Sequence, residues 1–138
     1  QEKNRNILIM YNVNNEESFY EDKHVILTYD YLLIKKYFFP SMKEKKVFTN
    51  QIKILYYEEQ SNRTIRGCRI WGKSPNNVYW AYDLRRSLPG NKEGKGNVIV
   101  DIEDGIKKGF TVENIEAFLR ATRNVCGFNL IIVDKLNV

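Results

Sequence analysis

The sequence predicts a single, mainly β domain, a small antiparallel barrel or sandwich capped by one amphipathic helix near the end of the chain. Three observations carry this. Apolar runs of strand length recur at short intervals with turn residues between them. The hydrophobic period becomes helical only once, over residues 111–125. Aromatic residues make up 13% of the 138 residues, and rings fit a pleated, half-buried surface. A chain of this length encloses one real core. No repeat, low-complexity tract or linker divides it, so residues 1–138 read as one domain.

Taken in order, NILIMYNV at 6–13 is a compact apolar run and a first strand, followed by a polar connector. HVILTYDYLLIKKYFF gives two strands that meet in a tight turn at Tyr29-Asp30. Pro40 ends the second, because it supplies no ladder N–H. SMKEKK then reads as a basic turn before Val47-Phe48, and Thr49-Asn50-Gln51 leads into the strand IKILYYE. TIRGCRIWG alternates, with Arg69 and Trp71 on one face and Cys68 and Ile70 on the other. KSPNN is a turn by composition. VYWAYDL is an aromatic strand, with Val78, Trp80 and Tyr82 on one face, that empties into the loop RRSLPGNKEGKGN.

NVIVDIE is the next strand and DGIKKG the next turn. The helix follows, with apolar Val112, Ile115, Phe118, Leu119 and Val125 on one stripe. Thr111 is its expected N-cap, Glu113 suits the positive end of the helix dipole, and Gly127 suits the C-terminal cap. FNLIIVDKLNV closes the chain with a short strand near 128–134. An open end of the sheets is where such a helix buries its stripe.

The net charge of +5 and the pI near 9.1 favour phosphate or an anionic membrane surface. Scattered basic residues and 17 acidic ones argue against nucleic acid. Cys68 and Cys126 are too few for a disulfide scaffold or a zinc site and read as two reduced thiols. No run approaches the roughly 20 apolar residues that span a bilayer. The chain begins at Gln1 rather than Met, as expected of a trimmed chain.

The stretch HVILTYDYLLIKKYFFPSMKEKKVFTNQIKILYY resembles the first half of bacterial pleckstrin-homology-like (PH-like) domains. The matching pieces are Thr28-Tyr29-Asp30, Leu32 with Ile34, and Asn50-Gln51-Ile52. CRIWG, a strand ending in Asp83, a loop with Arg85 and Arg86, NVIVDIEDG and GFTVENIEAFL follow the second half of that pattern. The resemblance covers a core of residues 22–125 and leaves the strands near 6–13 and 128–134 as additions that pair with the sheet or with another subunit. It implies two roughly orthogonal sheets forming a PH-like barrel with a C-terminal helix. Phe118 stands where eukaryotic relatives carry a tryptophan.

Candidate sites are few. LPGNKEGKGN fails as a phosphate loop, since Gly90 and Gly94 enclose only three residues and Gly96 follows Lys95 where the hydroxyl belongs. DIEDG groups three carboxylates but reads as turn chemistry. His24, the single histidine, has no local nucleophile, so no catalytic residues, metal or cofactor are expected.

Trp71, Tyr79, Trp80 and Tyr82 resemble a base-stacking platform, but strand alternation splits the set. What remains is a basic cluster, Lys35, Lys36, Lys43, Lys45 and Lys46, joined by Arg85 and Arg86. Eukaryotic relatives bind inositol phosphates through an equivalent hairpin; their basic–x–arginine unit is missing here and Glu44 interrupts the run.

The expectation is a noncatalytic binding or assembly module of a bacterial cytoplasm. It would meet a protein partner, a second copy or the anionic inner face of the membrane. A single-stranded nucleic-acid binder is the alternative, and a small enzyme the third. Lys35 and Lys36 pose a local puzzle, because neighbours on a strand point to opposite faces unless a bulge intervenes.

Overall fold

The computed structural model describes residues 18–62 and 69–134. The strand expected at 6–13 and the residues around Cys68 lie outside them. Strands β1 (Ser18–Glu21), β2 (Val25–Thr28), β3 (Tyr31–Phe38) and β4 (Lys43–Phe48) form a four-stranded antiparallel sheet in chain order. The second sheet has six strands in the order β10-β5-β8-β9-β7-β6. These are β5 (Ile54–Glu59), β6 (Gly72–Lys73), β7 (Val78–Trp80), β8 (Gly96–Asp101), β9 (Lys107–Val112) and β10 (Ile131–Val133). One helix, α1 (Ile115–Cys126), lies near the end of the chain.

The mainly β, two-sheet fold with a C-terminal helix is thus as the sequence predicts. The sheets stay two separate sheets rather than closing into a barrel, and they are not wholly antiparallel. β10 runs parallel to β5, and β7 parallel to β9.

Alternation in the chain places the core. Val25, Leu27, Leu32, Ile34 and Val47 point inward from the first sheet, and Leu55, Val98, Val100, Phe110 and Val112 from the second. Ile115, Phe118 and Ala121 of α1 join the same cluster. The second sheet also buries its opposite face locally, where Val78, Trp80 and Ile99 pack with Tyr56. Gly109 stands across from both Trp80 and Ile99 in the ladder. A Cβ on Gly109 would lie 2.5 Å from the indole, so only glycine lets the ring lie flat on the strand.

Two boundaries depart from the sequence pattern. Lys43–Phe48 is a strand rather than a basic turn followed by a short apolar pair, so Lys43, Lys45 and Lys46 sit on a ladder. Residues 107–112 form β9, most of them buried, although DGIKKG reads as a turn and Thr111 as a helix cap. The helix begins three residues later than predicted, counted from cap to cap. Its N-cap is Asn114, whose side chain accepts a hydrogen bond from the Ala117 N–H at 3.0 Å. Gly127 ends it with φ 75°, and its N–H donates to the Arg123 carbonyl.

Candidate functional site

The lysine pair is resolved by a bulge. Ile34 faces Lys45 and Phe38 faces Lys43, so the β3 side carries extra residues between these pairs. Lys36 adopts φ 51°, a left-handed conformation that a side chain adopts at a cost. Its carbonyl accepts the Tyr82 N–H at 2.8 Å, which ties the bulge to the segment after β7. Lys35 turns back over β2 and donates to the Asp22 carbonyl at 3.0 Å, while Lys36 stays exposed.

Beyond the bulge, Phe39 stacks on Tyr82 with centroids 5.1 Å apart and lies 4.9 Å from Trp71. The β3–β4 turn is thereby fixed beside the segment that carries Arg85. Phe38, Met42 and Trp71 remain exposed there, with Lys36, Lys43 and Arg85. Lys45 is half-buried, and Lys46 sits farther along β4, 4.4 Å above the Tyr31 ring. Among the described residues, none of Lys36, Lys43, Lys45, Lys46 and Arg85 makes an ion pair. Of the site residues named from sequence, Lys36, Lys43, Lys45 and Lys46 lie along β3–β4 and Arg85 on the 84–87 turn, while Arg86 and Lys35 are engaged within the protein.

Arg86 is the first of these. It is 2% exposed and belongs to the interior. Its guanidinium donates to the carbonyls of Arg69 and Ala81 and, at 3.1 Å, to Thr111 Oγ1, and it lies 4.8 Å over the Trp80 ring. Thr111 Oγ1 in turn donates to Asp83 Oδ2 at 2.7 Å. Burial pushes the Asp83 carboxyl up, but Thr111, Arg86, His24 and the Arg85 amide outweigh it and hold its pKa below the usual carboxylate value. Arg86 is thus a structural cation, and a ligand cannot reach it. Lys35, already bonded to the Asp22 carbonyl, is the second.

A second polar cluster, which the sequence reading did not single out, joins the β1–β2 turn to the start of α1. Asp22 is its hub. One carboxylate oxygen accepts the N–H groups of His24 and Val25; the other accepts the Glu113 N–H at 2.8 Å and the Tyr20 hydroxyl. An Asp two residues before a chain reversal, as in YEDKH, is the local signal that marks such a turn. Tyr20 Oη also accepts the Asn114 N–H, and burial with the Asp22 bond pushes its pKa up.

Glu113 pairs with Lys95 at 3.4 Å and Lys23 at 3.6 Å. His24 Nε2 lies 3.8 Å from Glu113 Oε2, too far for a hydrogen bond. Burial holds the His24 pKa below its ordinary value, against the opposing pull of Asp83, Asp22 and Glu113.

A histidine whose folded pKa is depressed leaves the unfolded chain with more bound protons. Its stabilising effect is complete above about pH 6.5 and is lost as pH falls from there towards the folded value. The melting temperature is expected to drop between pH 7.5 and 5.5, and His24→Gln is expected to flatten that drop. Parallel curves for the two proteins would show that His24 does not set it.

The remaining candidates resolve as turn or core chemistry. Asp101 Oδ1 accepts the Glu103 N–H at 2.7 Å, and Asp104 holds Lys108. Among the described residues there is no cluster of three or more metal-ligating side chains. Of the ring set, Trp80 is buried, Tyr82 stacks on Phe39, and Tyr79 packs 4.8 Å from Tyr37. Cys126 is a free thiol whose pKa burial pushes up. Among the described residues no helix is long and apolar enough to cross a membrane.

Comparisons of the chain with protein-family models, curated proteins and solved structures give no match.

Proposed function

We propose that this chain is a noncatalytic binding module of PH-like type that engages an anionic membrane surface through the bulge end of β3–β4. One observation carries the reading. The bulge end of β3–β4 carries exposed Lys36 and Lys43, neither in an ion pair, together with exposed Phe38 and Met42, and its Phe39 ring packs on exposed Trp71. Cations beside apolar tips suit a headgroup layer, where each well-placed lysine contributes about 1 kcal/mol. The architecture of two sheets and a C-terminal helix is what the PH-like resemblance implies, and a bacterial cytoplasmic membrane face is the setting this reading assigns.

The test is sedimentation with vesicles at low salt. Vesicles containing anionic lipid are expected to retain the protein, and retention should fall as salt screens the surface. Equal retention on neutral vesicles, or none on either, contradicts the reading.

A further inference from the structure

The far end of β4 carries a separate feature. Among the described residues β4 is the last strand of its sheet, and none of them forms a strand on its other edge. The Thr49 N–H donates to the Asp30 carbonyl at 2.9 Å. Hydrogen-bonded pairs in an antiparallel ladder recur at every second residue. Leu32/Val47 and Ile34/Lys45 are therefore the bonded pairs that follow.

Lys46 and Phe48, which face Leu33 and Tyr31, must direct their own N–H and C=O away from β3. Among the described residues no other backbone group bonds them. These same two residues form one wall of a groove of about 750 Å³. Ile52 and Lys53 before β5, Cys126 at the end of α1 and Leu130 line it as well.

The chemistry of the groove selects its occupant. Phe48 is 50% exposed and Tyr29 65%, so apolar surface stands open beside an open ladder edge. Two cations, Lys46 and Lys53, line the groove against one carboxylate, Asp30, and none of the three makes an ion pair. Lysines on an exposed edge also keep like strands from pairing. Two copies joined antiparallel about Lys46 would set the two Lys46 side chains directly opposite each other, which disfavours that pairing.

We propose that this groove receives an extended acidic peptide segment of a partner protein, which adds to β4 as a further strand of the first sheet. The peptide backbone bonds the N–H and C=O groups that Lys46 and Phe48 turn away from β3, its apolar side chains cover Phe48 and Tyr29, and its carboxylates meet Lys46 and Lys53. β4 spans about 20 Å, the length of roughly six residues. This surface is distinct from the bulge end and does not rest on the membrane reading.

The test is fluorescence anisotropy with a labelled heptapeptide that alternates glutamate and valine. Controls are the same peptide with lysine for glutamate, and one with a central proline, which lacks a ladder donor. The glutamate peptide is expected to bind at least tenfold more tightly than either control. Lys46→Glu with Lys53→Glu is expected to weaken it at least tenfold, and Phe48→Ala severalfold, at unchanged melting temperature. Lys36→Glu, outside the groove, is expected to leave binding within twofold. Amide shifts of Lys46 and Phe48 should move on titration. Equal binding of the glutamate and lysine peptides, no binding, indifference to the groove variants, or a doubled mass in light scattering that Phe48→Glu reverses would each overturn the proposal.

Discussion

Arg86→Ala is expected to lower the unfolding free energy by about 3–5 kcal/mol, the usual cost of breaking a buried charge network by removing one partner. Arg85→Ala, one residue away, is expected to change it by no more than about 0.5 kcal/mol. The guanidinium satisfies the Ala81 carbonyl twice, bonds Arg69 and Thr111, and covers the Trp80 ring. Its removal leaves acceptors without donors in a space too enclosed for them to recover water freely. It also leaves Asp83 and Thr111 without their neighbouring cation.

Arg85 is exposed, and its backbone N–H, not its side chain, bonds Asp83. Urea denaturation of both variants measures the contrast. Equal and small effects would mean that the guanidinium is solvated and available to a ligand after all. A large effect from Arg85 would mean that its side chain is structural too.

Phe118→Ala is expected to cost about 3–5 kcal/mol, the range for truncating a buried aromatic ring. Phe118 is 1% exposed, and its ring meets Tyr20 edge-on at 5.2 Å and Phe110 at 5.7 Å. It therefore ties α1 to both sheets at once. Because Tyr20 belongs to the Asp22 cluster, the cavity would also loosen the hydrogen bonds that Asp22 and Tyr20 Oη accept from the Glu113 and Asn114 N–H groups before the helix. Faster amide exchange at Glu113 and Asn114 in the variant is the local sign, and denaturant unfolding gives the total. A loss below about 1 kcal/mol would show that the helix is held by its polar cap rather than by this ring.

Much of the fold was legible because burial forces a period. The β2–β3 pair, its turn at Tyr29-Asp30 and the Gly127 cap follow from alternation and turn chemistry, while Leu32 and Ile34, both in the core, were named as part of the PH-like resemblance. β9 was not legible. KKGFTV carries glycine, two lysines and a threonine, and it forms a strand because β8 and β7 pair with its two edges. Those are tertiary causes, which no local window contains. Thr111 was misread for the same reason: a cap residue by type, it is a buried strand residue whose hydroxyl joins Arg86 to Asp83.

The basic surface was half legible. Composition and the lysine run mark it, but neighbouring residues 85 and 86 differ only in what folds over them. Asp22 was missed because its partner at 113 is remote in sequence, and the edge at Lys46 and Phe48 is seen only once β4 is known to be a strand.

The central claim is that the cations at the bulge end meet an anionic surface. It is tested most directly by titrating the protein and its Lys36→Glu/Lys43→Glu variant with vesicles containing anionic lipid at low salt. At about 1 kcal/mol per lysine, the double reversal is expected to weaken partitioning more than tenfold, with the melting temperature unchanged because both side chains are exposed. Partitioning of the variant equal to that of the parent would contradict the account.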